Sequence, residues 1–197
     1  MKHRLPIALL AAALAGCAGM NSVTSDVSSY GQWPAERKPG SYAFERLPSQ
    51  QAHPEDQAKL EDAARGALGM AGFTPAADPK SADVTVQIGA RITRYDYAPW
   101  DDPFWWRGGY WHGRPWYGSR WGFGATFYSG PSQYTREVAL LVRDRKSGQP
   151  LYETRAMSEG NYSGDTALLA AMFEAAMKDF PTPALSPRRV SVPLAAN

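Results

Sequence analysis

Residues 82–95, ADVTVQIGARITRY, carry an apolar side chain at every second position: Val84, Val86, Ile88, Ala90 and Ile92. Thr85, Gln87, Arg91 and Thr93 fill the positions between. A strand turns successive side chains to opposite faces, so this run is one apolar face backed by one polar face. Such a strand is stable only beside others, in an antiparallel or mixed sheet with a single buried face. Residues 134–157 supply two more strands around DRKSGQ, with Ser147 and Gly148 making the turn and Val138, Leu140 and Val142 pointing inward. SYAFERL (41–47) alternates as a short strand, with Tyr42 and Phe44 on one side. RRVSVPL (188–194) reads as a last strand, which Pro193 confines to an edge.

Two segments have helical spacing instead. In 53–73, Pro54 suits the first helical position, and Glu55 and Asp56 complement the positive end of the helix dipole. Leu60, Ala64, Ala67, Leu68 and Ala71 make the apolar stripe, and Gly72 is placed to end the helix in a left-handed conformation with Phe73 folding back. In 164–181, Asp165 caps, Leu169, Met172, Phe173, Ala176, Met177 and Phe180 share a face, and Pro181 stops the helix. Helices and strands with one apolar face each imply two layers. The expected fold is α+β: a four- to five-stranded antiparallel or mixed sheet with two helices on one face, in the order β-α-β-β-β-α with a further strand at the end. The other face of the sheet is polar or meets something else.

The N-terminus fixes an expected address. Lys2, His3 and Arg4 precede an apolar run from Leu5 to Leu14. Ten apolar residues are too few to cross a bilayer core of about 30 Å, but they suit a secretory signal. LAGC, ending at Cys17, resembles the lipobox of bacterial lipoproteins, in which the cysteine is diacylated, with palmitate-type chains, and the leader is cut before it. Cys17 is the single cysteine of the chain, so no internal disulfide or thiolate cluster can form. Two acyl chains anchor stably where one is marginal. Ala18, rather than Asp, in the next position implies by the same resemblance passage to the outer membrane, on its periplasmic face. Loss of Lys2 and Arg4 from 21 basic residues leaves a balance with the 19 acidic ones. A neutral chain gives no electrostatic case for nucleic acid.

The expected division is a signal peptide over 1–16 and an acylated Cys17 with a flexible Ser/Gly/Pro-rich tether over 17–40. A single domain follows over 41–192, interrupted by an insertion at 98–133, with a tail at 193–197. SYAFERLPS, ADVTVQIGARI, REVALLVRDRKSGQPLYETRA, FEAAMKDFP and RRVSV, in this order behind a lipobox, resemble the bacterial lipoprotein family catalogued as domain of unknown function four-one-three-six. The resemblance spans about 41–97 and 134–192. It implies a small α+β envelope lipoprotein and assigns no activity or functional residue.

The insertion departs from that shared pattern. WWRGGYWHGRPWYGSRWGFG (105–124) holds five of the seven tryptophans. Trp106, Trp111, Trp116 and Trp121 recur every five residues, a step that lines one face of neither a helix nor a strand. Arg107, Arg114 and Arg120 give the segment three positive charges, with no acidic residue between Pro103 and Thr135. The rings either pack on one another, on arginine or over the open sheet face, or form a contact surface. Tryptophan and tyrosine settle at bilayer interfaces, and arginine pairs with phosphate or carboxylate. These seven residues are therefore the candidate contact surface toward lipid, glycolipid or peptidoglycan.

Nothing in the sequence points to catalysis. Beyond the leader, the histidines are His53, at a helix start, and His112, within the aromatic run near Asp101 and Asp102. Neither has the spacing of a metal site, so no metal and no cofactor are expected. No nucleophile elbow or phosphate loop is present. Glu137, Glu153 and Glu159 lie on or beside paired strands, where Arg143 and Arg155 can balance them across the ladder. The expectation is a binding or scaffold module of the envelope, not an enzyme. The alternatives are a hydrolase of wall or lipid material working through unidentified carboxylates, or an accessory subunit of an envelope assembly complex.

Overall fold

A computed structural model describes residues 22–95 and 132–194. Seven strands form one mixed sheet: β1 (Ser22–Gly31), β2 (Ser41–Phe44), β3 (Thr74–Pro75), β4 (Val84–Tyr95), β5 (Gln133–Asp144), β6 (Pro150–Gly160) and β7 (Arg188–Pro193). Their spatial order is β3-β2-β4-β5-β6-β1-β7. β2 pairs in parallel with β3 and β4, and every other pairing is antiparallel. The helices are α1 (Pro48–Gln51), α2 (Pro54–Met70) and α3 (Thr166–Met177), with a 3-10 turn at Pro79–Ser81. The α+β class is as expected, but among the described residues seven strands and three helices replace four to five strands and two helices.

The largest correction concerns the tether. Residues 22–31 are not a spacer but strand β1, held between β6 and β7. Val23, Ser25, Val27 and Ser29 point inward and are buried, while the residues between them are more exposed. Half of the inward positions are serine, so a strand periodicity was present without the apolar residues that usually reveal it. α3 packs directly on β1. A small side chain suits a position crossed by a helix.

The core lies between the sheet and the pair α2 and α3. Val84, Val86, Ile88, Val138, Leu140 and Val142 meet Leu68, Leu168, Met172 and Phe173, each no more than 2 % exposed. Both main helices have the predicted ends. Asp165 Oδ1 accepts from the Leu168 amide at 2.9 Å. At the end of α2, Gly72 has φ +90° and the Phe73 amide donates to Leu68 O at 3.0 Å, a Schellman closure. Phe73 then joins Trp33, Phe180 and Tyr152 in a ring cluster with centroids 4.8 to 5.6 Å apart. The edge position of β7 and the turn at Gly148, with φ +70°, also follow expectation.

Candidate functional site

The register brings distant parts of the chain to one end of the sheet. Tyr95, the last residue of β4, lies opposite Gln133, the first of β5, so both ends of the tryptophan-rich segment are held side by side. Tyr134 lies opposite Gly160, the last residue of β6. β1 runs antiparallel to β6 from Asp26 opposite Met157, which sets its first residues beside the end of β6, and Ser22 pairs with Pro193. β1 is three strands from β4, or about 14 Å at ordinary strand spacing. Ser22 and the two ends of the insertion therefore share one edge of the molecule.

Both main helices begin toward the same end. His53 just before α2, with Asp56, Gln57 and Leu60 of that helix, and Asp165 just before α3, with Thr166 and Leu169, line a groove of about 590 Å³, floored by Gly89 and Ala90 of β4. The ring cluster at the other ends of these helices shows that they run away from the groove together. β4 and β5 continue past the helices. Ala90 and Ile92, expected to be buried, are therefore exposed, Ile92 to 45 %. Tyr95 and Tyr162 are 57 % and 45 % exposed.

Beneath Tyr162 lies a buried cation. Arg136 occupies the inward register of β5, two residues before Val138, and is only 3 % exposed. Its guanidinium donates to Ser158 O at 3.5 Å, Ser158 Oγ at 3.3 Å and Tyr162 O at 3.4 Å, and sits 5.4 Å from the Tyr162 ring. No carboxylate among the described residues is within ion-pair distance of it. Burial pushes its pKa below the ordinary arginine value, against the smaller opposing effect of Tyr162. A side chain on Gly160 would meet Nη2 at 2.6 Å, so glycine there makes room for the guanidinium. Inward alternation from Val138 was the signal for Arg136, overshadowed by its charge.

The face of the sheet away from the helices is uncovered among the described residues. Several of its charges are paired, though not across the ladder between the expected acids and Arg143 and Arg155. Arg155 bonds Glu153 at 2.9 Å along its own strand, and Arg143 reaches Glu45 at 3.7 Å rather than a neighbour on β6. Arg91 stands opposite Glu137 in the ladder, and Arg189 approaches Asp26 at 3.4 Å. Tyr30 and Met157 add exposed apolar surface to this face. The described acids do not converge on a common point, and among the described residues no group of three or more His, Cys, Asp or Glu could hold a metal. His53 is exposed at the start of α2. Among the described residues no helix is long and apolar enough to cross a membrane. Cys17, Trp106, Trp111, Trp116, Trp121, Arg107, Arg114, Arg120, Asp101, Asp102 and His112 lie outside the described residues.

The sequence pattern of one family, described as a domain of unknown function (DUF4136), matches residues 26–182, from within β1 to just past α3. The chain belongs to this family. No protein with a curated description matches the chain. Among solved structures, this DUF4136 protein is similar to a PDZ domain protein from Parabacteroides distasonis, with 13% identity and a TM-score of 0.50. That similarity covers 92% of this chain and 41% of the other, so the chain spans about two fifths of that protein's length. The likeness is one of fold alone. A PelC dodecamer from Paraburkholderia phytofirmans has 12% identity over 80% of this chain and 98% of its own, with a TM-score of 0.42. A DUF4136 family protein from Bacteroides thetaiotaomicron has 15% identity over 79% and 94%, with a TM-score of 0.30.

Proposed function

We propose that this DUF4136 protein is a lipid-anchored binding or scaffold module of the cell envelope. It is held by an acylated Cys17 on the periplasmic face of the outer membrane. Its tryptophan- and arginine-rich segment contacts lipid, glycolipid or peptidoglycan. The observation that carries this reading is the shared end of the sheet: Ser22, five positions after Cys17, and both ends of the aromatic segment leave the domain together. An anchor and a contact segment at opposite ends would argue for an outward-reaching binder instead. Aromatic rings with arginine suit a boundary where apolar and anionic groups meet.

Two measurements test the reading. Mass spectrometry of the mature protein from membranes should find acyl chains on Cys17 and no leader. Replacing Trp106, Trp111, Trp116 and Trp121 by alanine should then abolish cosedimentation with lipopolysaccharide or peptidoglycan while the circular dichroism spectrum is kept. Undiminished cosedimentation with both materials overturns the contact role. The uncovered sheet face, with Tyr30 and Met157 exposed on it, favours one further role, as the docking side for an envelope partner. Crosslinking from Met157 in cells to a discrete protein supports that role, and a crosslink-free monomer counts against it.

A further inference from the structure

The folding of β1 changes the reach of the anchor. A flexible segment from 17 to 40 would let the domain stand many tens of ångströms from the leaflet. With β1 beginning at Ser22, five residue steps separate Cys17 from a strand one place in from the edge of the sheet. Fully extended, they span at most about 17 Å. The polar layer of a leaflet is itself roughly 5–7 Å deep. With Cys17 acylated, the end of the sheet that carries Ser22 stands within about 10 Å of the headgroup layer.

That end has the surface chemistry of a lipid contact. Ile92 and Tyr95, on opposite faces of the β4 tip, are about half exposed, as is Tyr162, which lies over the Arg136 that pairs with Ile92. The Tyr162 ring lies over Arg136, whose charge no described carboxylate neutralises. Glu137, next to Arg136 in the chain, turns to the other face of β5, and Asp165, three residues after Tyr162, is engaged as the cap of α3. At the opposite end, the turn between β5 and β6 is polar: Asp144, Lys146, Ser147 and Gln149.

We infer that the tip formed by Ile92, Tyr95 and Tyr162, backed by Arg136, is a membrane-contact surface that sits in the headgroup layer of the leaflet entered by the Cys17 acyl chains. The occupant is an anionic phospholipid surface, and the sheet stands on end over it, with the β5–β6 turn pointing away. The inference rests on the anchoring reading and adds the orientation of the domain and the folded residues that touch lipid.

The acylated full-length protein supplies its own test, because acylation of the single cysteine leaves an introduced thiol unique. Ile92→Cys, Tyr95→Cys and, at the far turn, Ser147→Cys are labelled with bimane and incorporated into vesicles of phosphatidylethanolamine and phosphatidylglycerol containing headgroup-nitroxide lipid. Quenching should be several-fold stronger at positions 92 and 95 than at 147. Equal, weak quenching at all three positions, in protein whose acylation mass spectrometry has established, overturns the orientation and leaves the anchor standing. Absence of acyl chains overturns both. A thermal unfolding scan of each variant shows that the labelled protein is folded. Tyr162→Ser in the Ile92→Cys background should lower quenching at 92, and unchanged quenching removes Tyr162 from the surface.

Discussion

Replacing Tyr152 by phenylalanine should not cost stability, although the residue is among the most deeply buried in the domain. Tyr152 is 1 % exposed, and its ring meets Phe180 edge-on at 5.2 Å. Its hydroxyl and that of Ser29 on β1 are both buried without a hydrogen-bond partner. An unsatisfied buried hydroxyl costs about 1–3 kcal/mol, whereas a satisfied one contributes about 1 kcal/mol. Tyr152→Phe keeps the ring and removes the orphan, so urea denaturation should show a change between zero and a gain of about 1 kcal/mol. Tyr152→Ala, which empties the ring site, should lose about 3–5 kcal/mol. The two states also differ in proton affinity. Burial, with a smaller contribution from Asp179 and against the Ser29 hydroxyl, pushes the phenol from the ordinary 10.0 up to about 12. Between those values the unfolded chain releases a proton that the folded chain keeps, so stability falls as pH rises. The Tyr152→Phe protein lacks that contribution, and its stability should decline less above pH 10 than that of the parent. A loss of more than about 1 kcal/mol near neutral pH refutes the orphaned hydroxyl, and identical alkaline slopes refute the raised phenol pKa.

Three further outcomes follow from the same geometry. Asp165→Ala removes the acceptor for the Leu168 amide and should lower stability by about 1 kcal/mol in denaturant titration, with Asp165→Asn recovering most of it. Arg46 grips Glu61, whose side chain is 6 % exposed, through two bonds of 2.6 and 2.7 Å. Arg46→Ala should therefore cost about 3 kcal/mol by stranding a buried carboxylate, while Arg155→Ala, on the exposed Glu153 pair, should cost less than about 1 kcal/mol. The Ser147 amide, the Arg37 guanidinium and the Ser147 hydroxyl hold the Asp144 carboxyl far below the ordinary carboxylate range. Its stabilisation is present above about pH 4 and is lost as pH falls toward the lowered native value. Asp144→Asn should lower neutral-pH stability and flatten the acid limb of the curve.

The parts of the fold that could be read in advance are those where side-chain type and periodicity agree. α2, α3 and β4 to β6 repeat apolar residues at 3.6 or two positions, and Asp165, Gly72 and Gly148 mark ends by backbone chemistry that does not depend on distant partners. β1 is hidden because Ser25 and Ser29 occupy inward positions, so its period of two carries only half of the usual apolar signal. β3, two residues long, exists through pairing with β2 and has no period of its own. Arg136 follows the inward alternation of β5 but breaks its chemistry, and the glycine that accommodates it is 24 positions away at Gly160. Ile92 reads as core in the sequence because alternation tells which face a residue takes, not where the covering helix stops. The common end of the sheet is set by pairings among residues 22, 95, 133, 160 and 193, a long-range relation that no local pattern carries.

The pairing of Tyr95 with Gln133 has a consequence for how this scaffold can diversify. Whatever chain joins those two residues closes the same short gap, already fixed by a twelve-residue ladder between β4 and β5. Doubling the length of such a connection adds only about 0.6 kcal/mol of closure entropy, small against the strength of the ladder. The hairpin tip is thus a socket: it accepts cassettes of different length and chemistry without renegotiating the packing beneath, and a tryptophan-rich cassette can be exchanged for another while the holder stays folded.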